Sequence, residues 1–507
     1  MTQEAKAKKK RGFPSAFTVL FIIMLLAAVL TYVVPAGSFE RLLYTPETQT
    51  FTLTDVDGGT KEVPATQKTL DKYHITVPLE NFKNGSVKKP VAIPDSYKKI
   101  KQRPQGLLAV LSAPVTGLTG SIDIIGFVLI LGGNIAILNE TGAFAAGISS
   151  LSRKTKGHEF FLIVLVSLLV TAGGTTFGMA EECIAFYPIL MPIFLAAGYD
   201  AIVGISALFL SSAIGTMFST TNPFSVVIAS NAAGISFSTG LGFRLVSLFI
   251  AELITLLYIH RYAKKVKADP SKSIVADMMP EIKDHFLKDY NPELEIPFDW
   301  RRILMLTIFA AGFPVLIWGV SVGGWWFEQL TTLFLGIGLI NMFLSNLGEK
   351  KAISVFIEGA ASLVGVGLII AVARGTNIIM DGGAISDTIL NAASGLISNV
   401  NGVMFSSVQM ILFSFLGIFI PSSSGLATLS MPIVAPLADV VNVGREVVVS
   451  AYNQGQGWMA FIAPTGLIMV TLELVGVTYD RWFKFVWPLM VIIGVFALVM
   501  LGLMVVL

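Results

Sequence analysis

The chain has 507 residues, of which 54% are apolar and 13% are charged. A single water-soluble core could not bury so many apolar side chains, so we expect lipid to surround part of the protein. The formal net charge of +2 does not indicate a nucleic-acid surface. The lone cysteine excludes an intramolecular disulfide, and the four histidines show no metal-ligand spacing. Metalloenzymes and nucleic-acid partners are therefore not indicated.

Apolar segments about 20 residues long recur along the chain, and each is long enough to cross a hydrocarbon layer of about 30 Å as a helix. Lysines and an arginine in residues 1–13 predict a cytoplasmic N-terminus, because cytoplasmic segments carry an excess of these residues. Residues 37–104 are polar and are predicted to form an extracytoplasmic insertion. Residues 122–138 then return the chain to the cytoplasm. The last span, 482–507, leaves the C-terminus outside a bacterial plasma membrane.

The next apolar run, 158–170, is too short for an ordinary span and precedes a glycine-rich polar stretch, 171–178. We predict that residues 158–197 form a re-entrant hairpin that enters from the cytoplasm and turns near the middle of the membrane. Non-helical backbone at that depth is tolerated only where it is buried in protein or lines a wet cavity. The tip of this hairpin is therefore a candidate site.

Two later spans are predicted to be interrupted. Residues 201–233 contain the sequence STTNP at 219–223, where proline removes a backbone donor and restricts the residue before it. Residues 447–476 contain a corresponding sequence, APTG, at 463–466. Polar backbone exposed at such breaks is a second kind of candidate site.

The two halves of the chain follow one plan. We expect a first repeat over residues 14–267 and a second over 327–507, joined by a cytoplasmic linker, 268–302, and a connecting transmembrane helix, 303–322. The second repeat contains its own re-entrant hairpin, 402–440, which turns at a PSSSG sequence. Because one extra span separates the halves, they lie in the membrane with opposite orientations.

A constant shift along the chain places PILMP (188–192) on PIVAP (432–436) and Thr221 on Thr465. Inverted repeats with interrupted segments at matching positions indicate a secondary transporter that holds its substrate near the midplane. The predicted fold is an all-α polytopic membrane protein. It is an inverted repeat with two opposed re-entrant helical hairpins and two broken transmembrane helices.

Five short stretches carry a family resemblance: FGMAEE (177–182), NPF (222–224), GLATLSMP (425–432), APLAD (435–439) and PT (464–465). In them the chain resembles the YfcC family, within the C4-dicarboxylate carrier (DcuC-like) group of the ion transporter superfamily. The resemblance implies a scaffold, a mobile transport domain with two opposed hairpins, and a homodimer. Related families include arginine/ornithine antiporters as well as dicarboxylate carriers.

Better-known superfamily members carry Ser-Asn-Thr motifs at the hairpin tips, which help to bind sodium and a carboxylate. Here the tips contain Thr175-Thr176 and Ser422-Ser423-Ser424 instead, and this departure weakens the expectation of sodium coupling. A coupling ion, H⁺ or Na⁺, remains expected, and no cofactor is. A monovalent cation would lie near Thr221 and Thr465.

The candidate substrate and ion site combines the tips, the breaks and one polar pair in an apolar span. Its residues are Thr175, Thr176, Gly178, Glu181, Glu182, Thr220, Thr221, Asn222, Ser422, Ser423, Ser424, Asn453, Gln454 and Thr465. Two ionised carboxylates in a membrane are costly, so Glu181 and Glu182 are expected either to bind substrate or a proton, or to cap a half-helix. The hydroxyls either line the site or satisfy the turns.

Four other charges lie in or beside the spans: Glu140, Glu252, Arg374 and Glu473. We expect Arg374 and Glu473 to pair with each other rather than to contact substrate. No basic residue lies near either tip in the sequence, which favours a basic or other amino acid over a C4-dicarboxylate as substrate.

The sequence thus predicts an alternating-access secondary transporter, an antiporter or ion-coupled carrier, for a small charged metabolite. A C4-dicarboxylate carrier and, in another class, an ion channel are the alternatives. No nucleophile and base are paired in sequence, so the chain is not predicted to be an enzyme. Its partners are the lipid bilayer, a small-molecule substrate and a second copy of the chain.

Overall fold

In the computed structural model the chain is mostly helical. The structure describes residues 15–75, 77–83, 87, 90–147, 150, 159–288, 297–321, 323, 325, 327–395, 402–420 and 422–507. Within these residues, seven helices have the length and apolar composition needed to cross a membrane. They are Ile122–Glu140, Glu159–Thr176, Leu241–Ala268, Phe327–Ser345, Glu349–Gly382, Gly402–Phe419 and Tyr479–Val506. The chain is therefore a multi-pass membrane protein.

The helices of the first half follow in the order α1 (Ala16–Val33), α2 (Gln67–Lys72), α3 (Leu79–Lys83), α4 (Leu107–Thr119), α5 (Ile122–Glu140), α6 (Glu159–Thr176), α7 (Tyr187–Ala196), α8 (Ala201–Met217), α9 (Pro223–Ala232) and α10 (Leu241–Ala268). A 3₁₀-helix, Glu181–Phe186, precedes α7. Helix α8 contains a π-helical turn, Ser206–Leu210.

The helices that follow α10 are α11 (Met279–Leu287), α12 (Trp300–Ser321), α13 (Phe327–Ser345), α14 (Glu349–Ser362), α15 (Val364–Gly382), α16 (Ser386–Gly395), α17 (Gly402–Phe419), α18 (Ser423–Val440), α19 (Arg445–Ala460), α20 (Leu467–Val475) and α21 (Tyr479–Val506). A 3₁₀-helix, Pro270–Lys272, follows α10.

The segment between α1 and α4 is not all-α, so the predicted fold class is wrong there. Its strands are β1 (Gly37–Ser38), β2 (Arg41–Thr45), β3 (Thr50–Thr54), β4 (Thr60–Pro64), β5 (Val91–Ala92) and β6 (Lys98–Lys99). Four of them form an antiparallel sheet in the order β4-β3-β2-β5, and β1 pairs with β6. The alternation of threonine with Phe51 and Leu53 is typical of a half-buried strand, and Phe51 is buried in a core that includes Phe82.

This small domain, which we call the β-domain (residues 37–104), docks on the start of α16. The carboxylate of Asp387 accepts hydrogen bonds from the Phe39 amide at 3.0 Å and the Ser38 hydroxyl at 3.3 Å. The guanidinium of Arg41 donates to both oxygens of the same carboxylate at 3.0 Å. Strand β5 also packs against α18. The β-domain therefore contacts two different parts of the second half.

Two kinked helix pairs, one from each half, pack against each other. Helix α4 packs against α15, and α5 packs against α14, so the pairs α4–α5 and α14–α15 run antiparallel. Gly132 and Gly359 allow the close approach, because a Cβ atom at Gly132 would lie 2.6 Å from the Gly359 carbonyl oxygen. Helix α4 was not predicted. It contains Pro114 and is separated from α5 only at Gly120 and Ser121.

Each half also contains a closely packed pair of helices of its own. Helix α6 packs against α8, and α17 packs against α19. Glycines line the first contact, since a Cβ atom at Gly174 would lie 2.6 Å from the Ser212 carbonyl oxygen. Helices α8 and α19 then cross each other where a Cβ atom at Gly457 would lie 2.5 Å from the Cα atom of Met217. This crossing joins the two halves next to the candidate site.

Candidate substrate and ion site

The first tip is the turn after α6. The amides of Phe177, Gly178 and Met179 all approach the Gly173 carbonyl oxygen at 3.1–3.2 Å. Gly178 has φ +79°, a left-handed conformation that glycine adopts at little cost and that ends the helix here. The predicted break at 171–178 is thus too long, because α6 remains helical to Thr176. Its glycines serve close helix packing rather than unwinding.

The first tip is joined directly to the break between α8 and α9, which we call the first break (Phe218–Asn222). The Thr220 amide donates to the Thr175 hydroxyl at 3.0 Å, and this hydroxyl donates to the Phe218 carbonyl at 3.2 Å. The Thr221 amide donates to the Thr175 carbonyl at 3.1 Å. Polar backbone groups freed by the break are therefore satisfied by the tip rather than by water.

Part of the contact between the first tip and the first break is exposed to solvent. The Thr221 hydroxyl donates to the Thr176 carbonyl at 3.1 Å, and both side chains are exposed. The Asn222 side-chain amide donates to the Gly174 carbonyl at 3.3 Å, and its oxygen caps Phe224 by accepting its amide at 2.9 Å. A Cβ atom at Gly178 would lie 2.7 Å from the Asn222 side chain, so only glycine fits there.

The two carboxylates of the tip differ in their surroundings. Glu182 is 8% exposed and accepts a hydrogen bond from the Ala180 amide at 3.0 Å, which is the capping role. Glu181 is half-buried and interacts electrostatically with Asp123 at the start of α5 and with Arg374 on α15. Glu182 therefore supports the turn through one of its two carboxyl oxygens, whereas Glu181 belongs to a charged group at the junction with the kinked helix pairs.

Arg374 is a residue whose place the sequence did not predict. Its exposed side chain lies against Gly120 in the kink between α4 and α5. It forms no ion pair with Glu473 in the described parts of the chain, so the pairing expected for these two is wrong. The sequence did contain an indication of its importance, because Arg374 lies inside an apolar helix. A charged residue within a membrane span usually has a functional role.

The second tip lies between α17 and α18. The Ser422 hydroxyl accepts a hydrogen bond from the Gly425 amide at 3.2 Å and so caps α18. The Ser423 carbonyl accepts a hydrogen bond from the Tyr452 hydroxyl at 2.5 Å, and Ser424 follows in the first turn of α18. Residue 421, part of the predicted break, lies outside the described residues. Tyr452 ties the second tip to α19.

The second break (Phe461–Gly466, between α19 and α20) repeats the contact of the first. The Thr465 hydroxyl donates to the Ile418 carbonyl, in the last turn of α17, at 2.8 Å. Thr221 makes the corresponding contact with Thr176 in the last turn of α6. Each of the two threonine hydroxyls therefore bonds within its own half.

Among the described residues there is no group of three or more His, Cys, Asp or Glu that could hold a metal ion.

Asn453 and Gln454 lie in the middle of α19 and are 3% and 4% exposed. Among the described residues, neither polar atom of the Asn453 side chain has a hydrogen-bond partner, and neither has the side-chain oxygen of Gln454. Buried amides without partners are costly, so a ligand or water is expected there. They lie in α19 directly after Tyr452, whose hydroxyl contacts the second tip.

The predicted residues therefore fall into two clusters. The first contains Thr175, Thr176, Gly178, Glu181, Glu182, Thr220, Thr221 and Asn222, and the second contains Ser422, Ser423, Ser424, Asn453, Gln454 and Thr465. They meet through the crossing of α8 with α19 and through the packing of α9 against α18. The two clusters thus gather hydroxyls, side-chain amides and carboxylates where the two halves meet.

Comparison with known proteins places the chain in a family. Residues 13–506 match the family model described as DcuC, C4-dicarboxylate anaerobic carrier. The chain belongs to the DcuC family. The family resemblance predicted from the five sequence stretches is therefore confirmed.

Two curated relatives of this DcuC-family chain match over nearly the whole length. A Haemophilus influenzae protein of uncharacterised function is 50% identical over 485 residues, which cover 96% of this chain and 95% of the relative. An Escherichia coli K12 protein named putative basic amino acid antiporter YfcC is 30% identical over 502 residues, or 95% and 94% of the two chains. The description of the family and the name of the Escherichia coli relative both denote transporters.

Two solved transporter structures align with this chain over nearly its whole length. Neisseria gonorrhoeae MtrF, from a class of antimetabolite efflux pumps, has 16% identity and a TM-score of 0.39, covering 98% of this chain and 96% of the other. Alcanivorax borkumensis YdaH has 15% identity and a TM-score of 0.38, covering 97% and 98%.

Proposed function

We propose that the protein is an alternating-access secondary transporter for a small charged metabolite, built as two inverted repeats with re-entrant hairpins at 158–197 and 402–440. Matching helix starts support the repeat, because three helices of the second half follow their counterparts in the first at a nearly constant spacing. The pairs of first residues are Leu107 and Glu349 for α4 and α14, Glu159 and Gly402 for α6 and α17, and Ala201 and Arg445 for α8 and α19. The antiparallel packing of α4–α5 with α14–α15 supports the inversion.

The observation that carries the proposal is that an interrupted helix is hydrogen-bonded to a neighbouring hairpin tip in both halves. Thr220 and Thr221 bond to Thr175 and Thr176 in the first half, and Thr465 bonds to Ile418 in the second. Half-helix ends of this kind bring partial charges to one place, where they bind charged substrates and ions in transporters. We assign α6–α9 and α17–α20 to a transport domain and the kinked pairs to a scaffold.

A basic or other amino acid is the substrate class that we propose first. Glu181 and Glu182 at the first tip are suited to an ammonium or guanidinium group, and the half-helix N-termini are suited to its carboxylate. The relative named putative basic amino acid antiporter YfcC supports the same class. Exchange of two such molecules, or coupling to an ion gradient, would drive transport.

A C4-dicarboxylate is the second candidate, and Arg374 favours it. Its exposed guanidinium interacts with Glu181, so the first tip does have a basic neighbour although none is near it in sequence. Arginine binds carboxylates with two parallel hydrogen bonds. The description of the matching family supports this class.

The orientation, with a cytoplasmic N-terminus and an external C-terminus, is also a proposal, as is a homodimer. The lysine-rich end of α10 and the start of α21 lie on one side, because Arg481 donates to the Ile274 carbonyl at 2.9 Å and pairs with Asp277. A basic face of this kind supports a cytoplasmic position. The last helix would then end outside.

The test is counterflow of labelled arginine, ornithine, neutral amino acids and C4-dicarboxylates in liposomes containing the purified protein. We expect saturable exchange of one class, with no unitary currents in planar bilayers. Absence of exchange for every class, or channel-like currents, would overturn the carrier proposal.

Charge variants decide between the two substrate classes. Because glutamine keeps an acceptor for the Ala180 amide, Glu182→Gln preserves the turn while removing the charge. For a cationic substrate we expect Glu181→Gln or Glu182→Gln to raise KM by about 10- to 100-fold, the worth of one charged hydrogen bond. Arg374→Gln should do the same for a dicarboxylate. Glu62→Gln, on the exposed face of β4, is the matched control.

A further inference from the structure

Glu252 is a buried carboxyl group that none of the contacts described above uses. It lies in α10 and is 4% exposed, and neither of its carboxyl oxygens accepts a hydrogen bond within the described residues. At a rise of 1.5 Å per residue, it is about 16 Å from the first residue of this 28-residue helix. Glu252 is therefore in the membrane-spanning part of α10, away from both ends.

The helices that pack against α10 bring no charge to Glu252. Among the described residues, the main elements that pack against α10 are α6, α8 and α21, together with the 3₁₀ turn after α10. Their charged and titratable residues, with the capping residues, are Glu159, Asp200, Asp269, Lys272, Tyr479, Asp480, Arg481 and Lys484. These lie toward the far end of α10, where Glu159 pairs with Lys267 at 3.0 Å and Asp200 accepts a hydrogen bond from Tyr262 at 2.6 Å.

On α10 itself the neighbouring titratable groups are also engaged elsewhere. The Tyr258 hydroxyl donates to the Phe485 carbonyl at 2.7 Å, and the Arg244 guanidinium donates to the Thr239 carbonyl at 2.9 Å. Arg244 is two helical turns away, or about 12 Å along the helix. Glu252 is thus a carboxyl group without a counter-charge among the described residues.

Glu252 lies beside a polar stripe that leads to the first tip. Thr171 of α6 is its hydroxyl neighbour, and this hydroxyl donates to the Ser211 carbonyl at 3.1 Å. Ser167, Thr171 and Thr175 follow one another at the spacing of one helical turn, so they share one face of α6, and all three are buried. Thr175 belongs to the first tip. Glu252 is therefore about one helical turn from the candidate site.

An ionised carboxylate in a membrane interior is strongly disfavoured when no cation meets it, and the hydroxyl of the neighbouring Thr171 donates its proton to the Ser211 carbonyl instead. A neutral carboxylic acid is tolerated in the same place. We infer that Glu252 is a proton-binding site, protonated in this conformation, through which the protein couples transport to a proton gradient. Proton uptake from water forms an O–H bond on one carboxyl oxygen. When the first hairpin shifts against α10 and lets water reach Glu252, the same proton is released to that water.

This inference rests on the proposed transport function and adds to it the coupling ion and the residue that binds it. Protonation is tested first without any substrate, by infrared difference spectroscopy of the purified protein. We expect a protonated carboxyl band in the parent that Glu252→Gln lacks and that Glu328→Gln, an exposed glutamate in the first turn of α13, retains. A band of equal strength in Glu252→Gln would overturn the inference.

Coupling is tested in liposomes with the substrate that counterflow identifies. One proton per substrate lets a gradient of about one pH unit drive up to about tenfold accumulation. We expect Glu252→Gln to keep counterflow at equal pH within about twofold of the parent and to lose the gradient-driven accumulation. Glu252→Asp, which keeps the proton-binding group, should retain part of it.

The outcomes separate the two claims. A parent protein that exchanges substrate but ignores the pH gradient, or a Glu252→Gln variant that responds like the parent, overturns proton coupling through Glu252 and leaves the carrier intact. A parent without counterflow of any substrate overturns the transport proposal, while the infrared measurement still decides whether Glu252 binds a proton. Elution of each variant as a folded species in size-exclusion chromatography guards against loss by misfolding.

Discussion

Thr175 is the residue at which the first tip and the first break become one unit. Its hydroxyl accepts a hydrogen bond from the Thr220 amide and donates one to the Phe218 carbonyl, and its own carbonyl accepts the Thr221 amide. A buried hydroxyl in this position satisfies one donor and one acceptor that the broken helix leaves free. Glycine, alanine or valine could not do both.

We therefore expect Thr175→Val to weaken both the fold and transport. The change keeps the shape of the side chain but removes the hydroxyl that donates to the Phe218 carbonyl, and it leaves the Thr220 amide with only the Thr175 carbonyl as acceptor. We expect a cost of about 1–3 kcal/mol. The thermal midpoint of the purified protein and its counterflow rate should both fall. Thr307→Val removes an exposed hydroxyl that bonds only within its own helix, and it should change neither. Equal behaviour of the two variants would show that the contact at Thr175 is dispensable.

At the scale of elements, close helix contacts decide where the chain can and cannot unwind. Gly174 and Gly215 let α6 and α8 approach until backbone meets backbone, since a Cβ atom at Gly215 would clash with the Thr171 carbonyl. That contact stabilises α6 as a helix as far as Thr176. Glycine lowers helix propensity in isolation, but tertiary packing outweighs propensity.

We expect Gly215→Ala to destabilise the protein by about 1–3 kcal/mol, because the added methyl group forces the two backbones apart. Thermal unfolding monitored by circular dichroism measures the effect. Gly336→Ala is the matched control, because a Cβ atom there meets nothing within 4 Å. In that helix the same substitution should be neutral or stabilise by about 0.5–1 kcal/mol. A destabilised Gly336→Ala would point to a general intolerance of alanine instead.

The elements predictable from sequence were those marked by local chemistry. Proline and asparagine at 222–223 predicted where α8 ends and α9 begins, and the apolar run lengths indicated the spans. The glycines at 173 and 174 wrongly indicated an unwound segment. Their effect depends on packing against α8, a separate helix later in the chain. Arg374 was misjudged for a similar reason, since its neighbour Glu181 is distant in sequence.

The β-domain was missed as a folded unit for another reason. A long polar connection with lysines and prolines gives no hydropathy signal, and its sheet is recognised only from the short alternation around Phe51. Its core is small and separate from the membrane helices. Of the candidate site, sequence reasoning supplied the residue list, whereas the hydrogen bonds that join tip to break required the three-dimensional structure.

At the scale of the whole molecule, Asp387 holds the β-domain on the helical body. The buried carboxylate, 4% exposed, receives the Phe39 amide, the Ser38 hydroxyl and the Arg41 guanidinium. Charge-assisted hydrogen bonds of this kind are stronger than neutral ones. One side chain thus accounts for much of the attachment.

We expect Asp387→Asn to loosen the β-domain by about 1.5–3 kcal/mol without unfolding the membrane helices. Hydrogen exchange of β1 and β2 should quicken, while that of α5 and α21 stays unchanged. Asp57→Asn, on an exposed turn of the same domain, should leave all of them unaffected. Unchanged exchange in β1 and β2 would refute the role of Asp387.

The double attachment of the β-domain has a mechanical consequence. One edge is fixed to α16 by Asp387, while β5 rests on α18 and Asn81 reaches Asn231 of α9 at 3.5 Å. Any movement of α18 or α9 relative to α16 has to break or distort these contacts of the β-domain. If the protein transports by the proposed movement of the transport domain, the β-domain would therefore restrain that movement through its contacts with both α16 and α18.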